Sequence, residues 1–231
     1  MAAEGALVRL RGVTKRYGDR LALDRVDLSV APGRLLAVVG PSGAGKTTLL
    51  NVLLGWEQAD EGSVERAPAV GPGEDGLIPW RAIAVIPQQR GLLADLSIVE
   101  NVDLPCRLAG TGPTASGATL RAQLERLGLG GLGDRYPDEV SLGEQQRASV
   151  ARALVLDPAI VLADEPTAHQ DAASARLVLG ELRAATDAGA ACVMVTHDPA
   201  ALRHADVVVE ATSGAFRPLT EPSARARWDR R

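Results

Sequence analysis

Three uncharged apolar runs punctuate the chain: Leu35-Leu36-Ala37-Val38-Val39, Ile160-Val161-Leu162-Ala163 and Ala191-Cys192-Val193-Met194-Val195. Short continuous runs of this kind, bounded by turn signals, read as strands buried on both faces, the arrangement of a parallel sheet. After the first run, Leu49, Leu50, Val52 and Leu53 take helical spacing, and a further helix is expected over about 173–183. Alternating strands and helices predict an α/β core. Elsewhere the period is two: Val26, Leu28 and Val30 alternate with Asp27 and Ser29. With Leu7-Val8-Arg9-Leu10, Ser63-Val64-Glu65 and Ile83-Ala84-Val85-Ile86, this strand is expected to form a small antiparallel sheet. Thr14 to Asp19 reads as a polar turn, Ala67 to Gly76 as a Pro/Gly-rich loop, and Val207-Val208-Val209 as a last strand.

From about Leu92 to Leu154 the pattern is mainly helical. Leu120, Leu124 and Leu127 share one helical face, which Gly128 ends. Thr111 to Gly117 and Gly128 to Gly133 are breaks. The expected organisation is one domain over 1–222, with a helical subdomain at about 90–154. The arginine-rich tail 223–231 lacks an apolar pattern and is expected to be disordered.

Composition narrows the function by exclusion. A net charge of −4 gives no basic field to attract nucleic acid, and 3% aromatic residues give no stacking platform for single strands. No apolar run reaches the roughly 18 residues of a membrane span, and the N-terminus does not read as a secretion signal. Cys106 and Cys192 lie far apart without metal spacing and read as buried thiols in a reducing compartment.

The chemistry begins directly after the first apolar run. Gly40-Pro41-Ser42-Gly43-Ala44-Gly45-Lys46-Thr47-Thr48 fits the phosphate-loop pattern, and it stands between a strand and a helix as that pattern requires. Glycines let successive N–H groups turn inward toward phosphate oxygens, and the helix start adds its positive dipole end. Lys46 is suited to the β- and γ-phosphates and the Thr47 hydroxyl to Mg²⁺. Of 25 lysines and arginines only Lys15 and Lys46 are lysine, so a compact ammonium is kept where a planar guanidinium would not fit. The second run ends in Asp164-Glu165 and the third leads to Thr196-His197-Asp198. Ligands of α/β sheets sit at the carboxyl ends of strands, which brings these groups beside the phosphate loop. Asp164 is then placed to hold Mg²⁺, Glu165 to orient or deprotonate water, and His197 to donate to the γ-phosphate or position that water.

Val140-Ser141-Leu142-Gly143-Glu144-Gln145-Gln146-Arg147 resembles the LSGGQ signature, and with the phosphate loop, Asp164-Glu165 and His197 the chain resembles the nucleotide-binding subunits of ABC transporters over nearly its whole length. The resemblance implies a phosphate-loop NTPase core with a parallel sheet, a small antiparallel β-subdomain and a helical subdomain. It implies ATP and Mg²⁺ as ligands, Tyr17 stacked on adenine, and Gln88 touching Mg²⁺ and a membrane subunit. Ser141 and Gly143 would bind the γ-phosphate held by a second copy, with Asp171 in the adjoining D-loop. The implied partners are that second copy and a permease on a separate chain, at the cytoplasmic face of the membrane, with no nucleic acid. Residues 92–105 resemble the macrolide-exporter and lipoprotein-release ATPases, which leans toward export or extraction. Leu142, Glu144, His169 and Gln170 depart from the family pattern. The alternatives are a soluble ABC ATPase acting on nucleic acid or the ribosome, and a weakly hydrolysing regulator.

Overall fold

The computed structural model describes residues 5–72, 78–110, 117–168 and 170–219. Two sheets organise them. Strands β1 (Val8–Tyr17), β2 (Arg20–Val30) and β4 (Glu61–Arg66) form an antiparallel sheet in the order β2-β1-β4. Strands β3 (Leu35–Val39), β5 (Ile83–Ile86), β6 (Ile160–Asp164), β7 (Ala191–Val195), β8 (Val207–Thr212) and β9 (Ala215–Pro218) form the second, in the order β5-β6-β7-β3-β8-β9. All its pairings are parallel except β8 with β9. Helices α1 (Lys46–Leu54), α2 (Ile98–Leu108), α3 (Gly117–Arg126), α4 (Leu142–Leu154), α5 (Ala172–Asp187) and α6 (Pro199–Leu202) complete the fold. This is the α/β phosphate-loop architecture, with a small antiparallel sheet and a helical lobe.

Three expectations need correction, the first being Val207-Val208-Val209 as the last strand, since β9 follows it and pairs with it. Ile83–Ile86 is not part of the antiparallel sheet; it pairs in parallel with β6 from Ile83↔Ile160 to Ile86↔Ala163 and forms an edge of the large sheet. The segment from Thr14 is not a turn either. β1 runs on to Tyr17 and the reversal is confined to Gly18-Asp19. Strand persists through these polar residues because they are satisfied: Thr14 is buried, and Asp60 accepts from the Arg16 amide (2.7 Å) and from Lys15 Nζ (3.2 Å). The tail 223–231, the break from Thr111 to 116 and His169 lie outside the described residues.

The apolar runs serve two cores at once. In β3, Leu35, Ala37 and Val39 pack with α2, α4 and α5, whereas Leu36 and Val38 pack with α1 and the antiparallel sheet. β6 divides in the same way, with Val161 and Ala163 on one side and Ile160 and Leu162 on the other. Leu49 and Leu53 of α1 are fully buried, each contributing about 1.5–3 kcal/mol of apolar burial. Helix ends follow local chemistry. Gly45 and Gly55 bound α1, and Ser97 caps α2 through a capping box with Glu100. Both cysteines are free and buried, and burial pushes the Cys192 thiol up to about 12. Among the described residues no helix is long and apolar enough to cross a membrane.

Candidate active site

One edge of the large sheet collects the chemistry. β3 runs into the loop Gly40–Thr48, β6 ends at Asp164, β7 leads to His197, β5 leads to Gln88, and β8 carries Glu210 and Thr212. These residues line a single cavity of about 840 Å³ together with Tyr17, Arg20, Ala22 and Glu165. Ala44 does not line it; this loop residue turns into the core beneath, 3% exposed.

The loop's shape depends on glycine at two points. At Gly45 (φ 98°) a side chain would run into the Ala22 carbonyl oxygen, and at Gly40 into that of Ala211. Only glycine allows so close a backbone approach. Lys46 Nζ donates to Gly40 O (2.8 Å) and Pro41 O (2.9 Å), so the ammonium folds back over its own loop. Gly40, Pro41 and Lys46 all line the cavity, so anionic oxygens entering it can replace these carbonyls.

Asp164 and Glu165 are adjacent carboxylates with different surroundings. Burial, and then the neighbouring charge of Glu165, push the Asp164 carboxyl above its usual range, against the opposing pull of Lys46. A group held this way gains from a cation. Thr47, Gln88 and Asp164 line the same cavity and offer only oxygen donors, or an amide oxygen, which suits Mg²⁺. No cluster of three or more His, Cys, Asp and Glu occurs among the described residues, so phosphate oxygens and water would have to complete the shell.

Glu165 sits at φ 51°, unusual for a residue with a side chain, and its amide donates to Val195 O at 2.9 Å. Backbone in this region is strained by about 1–3 kcal/mol and concentrates at functional sites. His197 Nδ1 lies 2.9 Å from Glu165 Oε1. Toward a carboxylate, which only accepts, Nδ1 is the donating nitrogen. Glu165 is thereby fixed by its backbone on one side and an imidazole on the other.

At the cavity rim the Tyr17 ring is 45% exposed, with Lys15 Nζ 5.7 Å from its centroid. Arg20, which the sequence reading missed, pairs across the hairpin with Tyr17 and donates through Nη2 to Gly43 O at 2.8 Å. Its signal was the Gly18-Asp19 reversal, which sets Tyr17 and Arg20 side by side at the end of a hairpin.

Ser141, Gly143 and Asp171 lie outside this cavity. Ser141 is the N-cap of α4, with Gly143 in the first turn. Asp171 caps α5, accepting from Ala173 N (2.8 Å), Ser174 N (2.9 Å) and Ser174 Oγ (3.1 Å). Those bonds, led by the Ser174 amide, hold its carboxyl below the usual range. Arg147 Nη1 of α4 donates to the same Ser174 hydroxyl at 2.8 Å, which ties the helix behind Ser141 to the cap at Asp171. Gln170 donates to Pro166 O at 3.4 Å.

Comparison with known proteins places this geometry in a wider set. Residues 23–168 match the family model described as ABC transporter. The macrolide export ATP-binding/permease protein MacB 1/2 of Paracoccus denitrificans is 39% identical over 93% of this chain, which spans 33% of that relative's length. The lipoprotein-releasing system ATP-binding protein LolD of Chromohalobacter salexigens is 37% identical over 90% of this chain and 92% of its own. Among solved structures, the dimeric bacterial ABC transporter cassette MJ0796 is 29% identical, with a TM-score of 0.78 over 93% of this chain and 99% of its own. The same cassette is known as a dimer in a post-hydrolysis state bound to ADP and Pi, with a TM-score of 0.75.

Proposed function

This chain belongs to the ABC transporter family, and from that premise we propose that it binds and hydrolyses ATP as a dimer and powers a membrane transporter. The observation that carries the reading is the gathering of Lys46, Thr47, Asp164, Glu165 and His197 around one cavity, while Ser141 and Gly143 lie outside it. A chain with half of its phosphate ligands on another surface needs a second copy to finish the site. Two chains arranged head to tail then enclose two ATP molecules.

Each residue's part follows from its surroundings. Lys46 exchanges its two loop carbonyls for β- and γ-phosphate oxygens. Tyr17 offers an open ring to the adenine, and Arg20 stiffens the loop from the rim. Mg²⁺ held by Thr47, Asp164 and Gln88 would neutralise phosphate charge. Glu165, oriented by His197, takes the proton of the attacking water or aligns that water. Gln88 leads from the site to the edge beyond β5, where a permease on a separate chain would sense the nucleotide. The chain is placed accordingly at the cytoplasmic face of a membrane, held there by that partner. The likeness to the macrolide export and lipoprotein-releasing proteins supports export or extraction as the work done.

The test is Glu165→Gln. The variant should still bind ATP and form an ATP-dependent dimer, while turning over at least about a hundredfold more slowly. Near-normal steady-state hydrolysis would remove Glu165 from its role. Stimulation of the parent chain's ATPase by nucleic acid would favour the soluble reading over transport.

A further inference from the structure

Two Ser-x-x-Glu boxes occur in this chain, and they differ in what they face. At α2 the box is structural: Ser97 is 7% exposed and the Ser97 amide donates to Glu100 Oε2 at 2.9 Å. At α4 the box opens outward, with Ser141 exposed and Leu142 beside it 55% exposed. Here one carboxylate oxygen, Glu144 Oε2, accepts from both the Ser141 amide (2.7 Å) and the Ser141 hydroxyl (2.8 Å). The Glu144 amide in turn donates to Ser141 Oγ at 3.3 Å. A serine hydroxyl has one hydrogen, and here it is committed to an anion within the same chain.

That arrangement bears on the shared ATP site proposed above, on which the inference rests. The γ-phosphate of the partner's ATP is an anion that needs the donors at the start of α4. Glu144 already occupies two of them, the Ser141 amide and hydroxyl, with a negative charge. We propose that Glu144 is a latch on the trans half of the nucleotide site, an internal anion that must swing away before Ser141 and Gly143 can hold the partner's γ-phosphate. Its bonds from Ser141 keep the carboxyl below its usual range, so the latch carries its charge throughout the neutral range. The consequence is a positioning effect on Ser141. Closure of the dimer requires more ATP than an uncharged box would, and after phosphate leaves, Glu144 recaptures the hydroxyl and favours opening.

Glu144→Gln isolates the charge, because glutamine still completes a capping box. The experiment is sedimentation of the 231-residue chain across an ATP series, in a Glu165→Gln background that holds the closed state. Adding Glu144→Gln should lower the ATP concentration for half-maximal dimer by at least about fivefold, the scale of one relieved like-charge contact. The melting temperature without nucleotide should fall only slightly, by the charge-assisted part of the box, and monomer affinity for a fluorescent ATP analogue at low protein concentration should not change. Glu144→Ala should also dimerise at lower ATP, although the box loses its reciprocal bonds to Ser141 and α4 melts earlier. An unchanged or raised half-maximal ATP in Glu144→Gln overturns the latch. So does a gain that appears equally in the monomer. Absence of any ATP-dependent dimer in the Glu165→Gln parent would remove the shared site and the latch together, whereas a parent dimer that Glu144→Gln leaves unshifted removes the latch alone.

Discussion

Asp164 holds a charge that its surroundings resist. Burial and Glu165 both raise its pKa, so the chain without nucleotide is less stable for carrying it ionised. Asp164→Asn should therefore raise the melting temperature of the nucleotide-free chain while removing Mg²⁺-dependent ATP hydrolysis. Calorimetry and a steady-state assay on the same preparation check both halves; a variant that is inactive and also less stable would contradict the account. The carboxylates of Asp164 and Glu165 were legible in the sequence because a fully apolar strand ends on them. The contact between Glu165 and His197 was legible only as a shared sheet edge, since the 2.9 Å separation depends on the φ of 51° at Glu165. Arg20 was missed despite the Gly18-Asp19 signal, because the segment before it reads as too polar for a strand until Asp60 is seen to accept from Lys15 and Arg16.

At the scale of elements, caps are the most separable feature. Ser97→Ala removes an N-cap from a helix that does not line the nucleotide cavity, and such changes cost about 1 kcal/mol. The melting temperature should fall by about 2–4 °C, with ATP binding unchanged in a nucleotide titration. The elements themselves were readable to different degrees. β3, β6 and β7 announce themselves because both faces are buried and every residue must be apolar. β5 is only four residues long and follows the antiparallel strands in sequence, yet its partner β6 lies more than seventy positions onward. Pairing partners of that kind are set by tertiary packing and leave no local mark. β9 was missed although Ser213-Gly214, both at positive φ, is a hairpin turn signal. The expected loop from Ala67 contains one tight 3₁₀ turn at Pro68–Val70.

For the whole molecule, acid should unfold the chain through its caps. Glu100, Glu144, Asp171 and Asp60 all sit below the ordinary carboxylate range, held by bonds from Ser97, Ser141, Ser174 and Arg16 respectively. Their stabilisation is complete above an unfolded pKa of about 4 and is lost as pH falls through the lowered folded values. Asp164 works in the opposite sense, because its protonation on acidification relieves a cost. Against the push of burial, bonds from the Leu35 amide and Arg183 hold Asp206 low as well, so five groups against one predict a melting temperature that is flat from pH 7 to 5 and declines below 4. Glu100→Gln should make that decline shallower. A final consequence comes from the alternation along β3, whose successive side chains belong to two different cores. An amide in that strand can exchange with solvent only when both cores release it, whereas α3, which belongs to one, can open alone. Hydrogen exchange should then divide the chain into a slow floor beneath the phosphate loop and a faster helical lobe, so that, on the function proposed above, the rigid half grips the nucleotide and the looser half carries Ser141 toward the other copy.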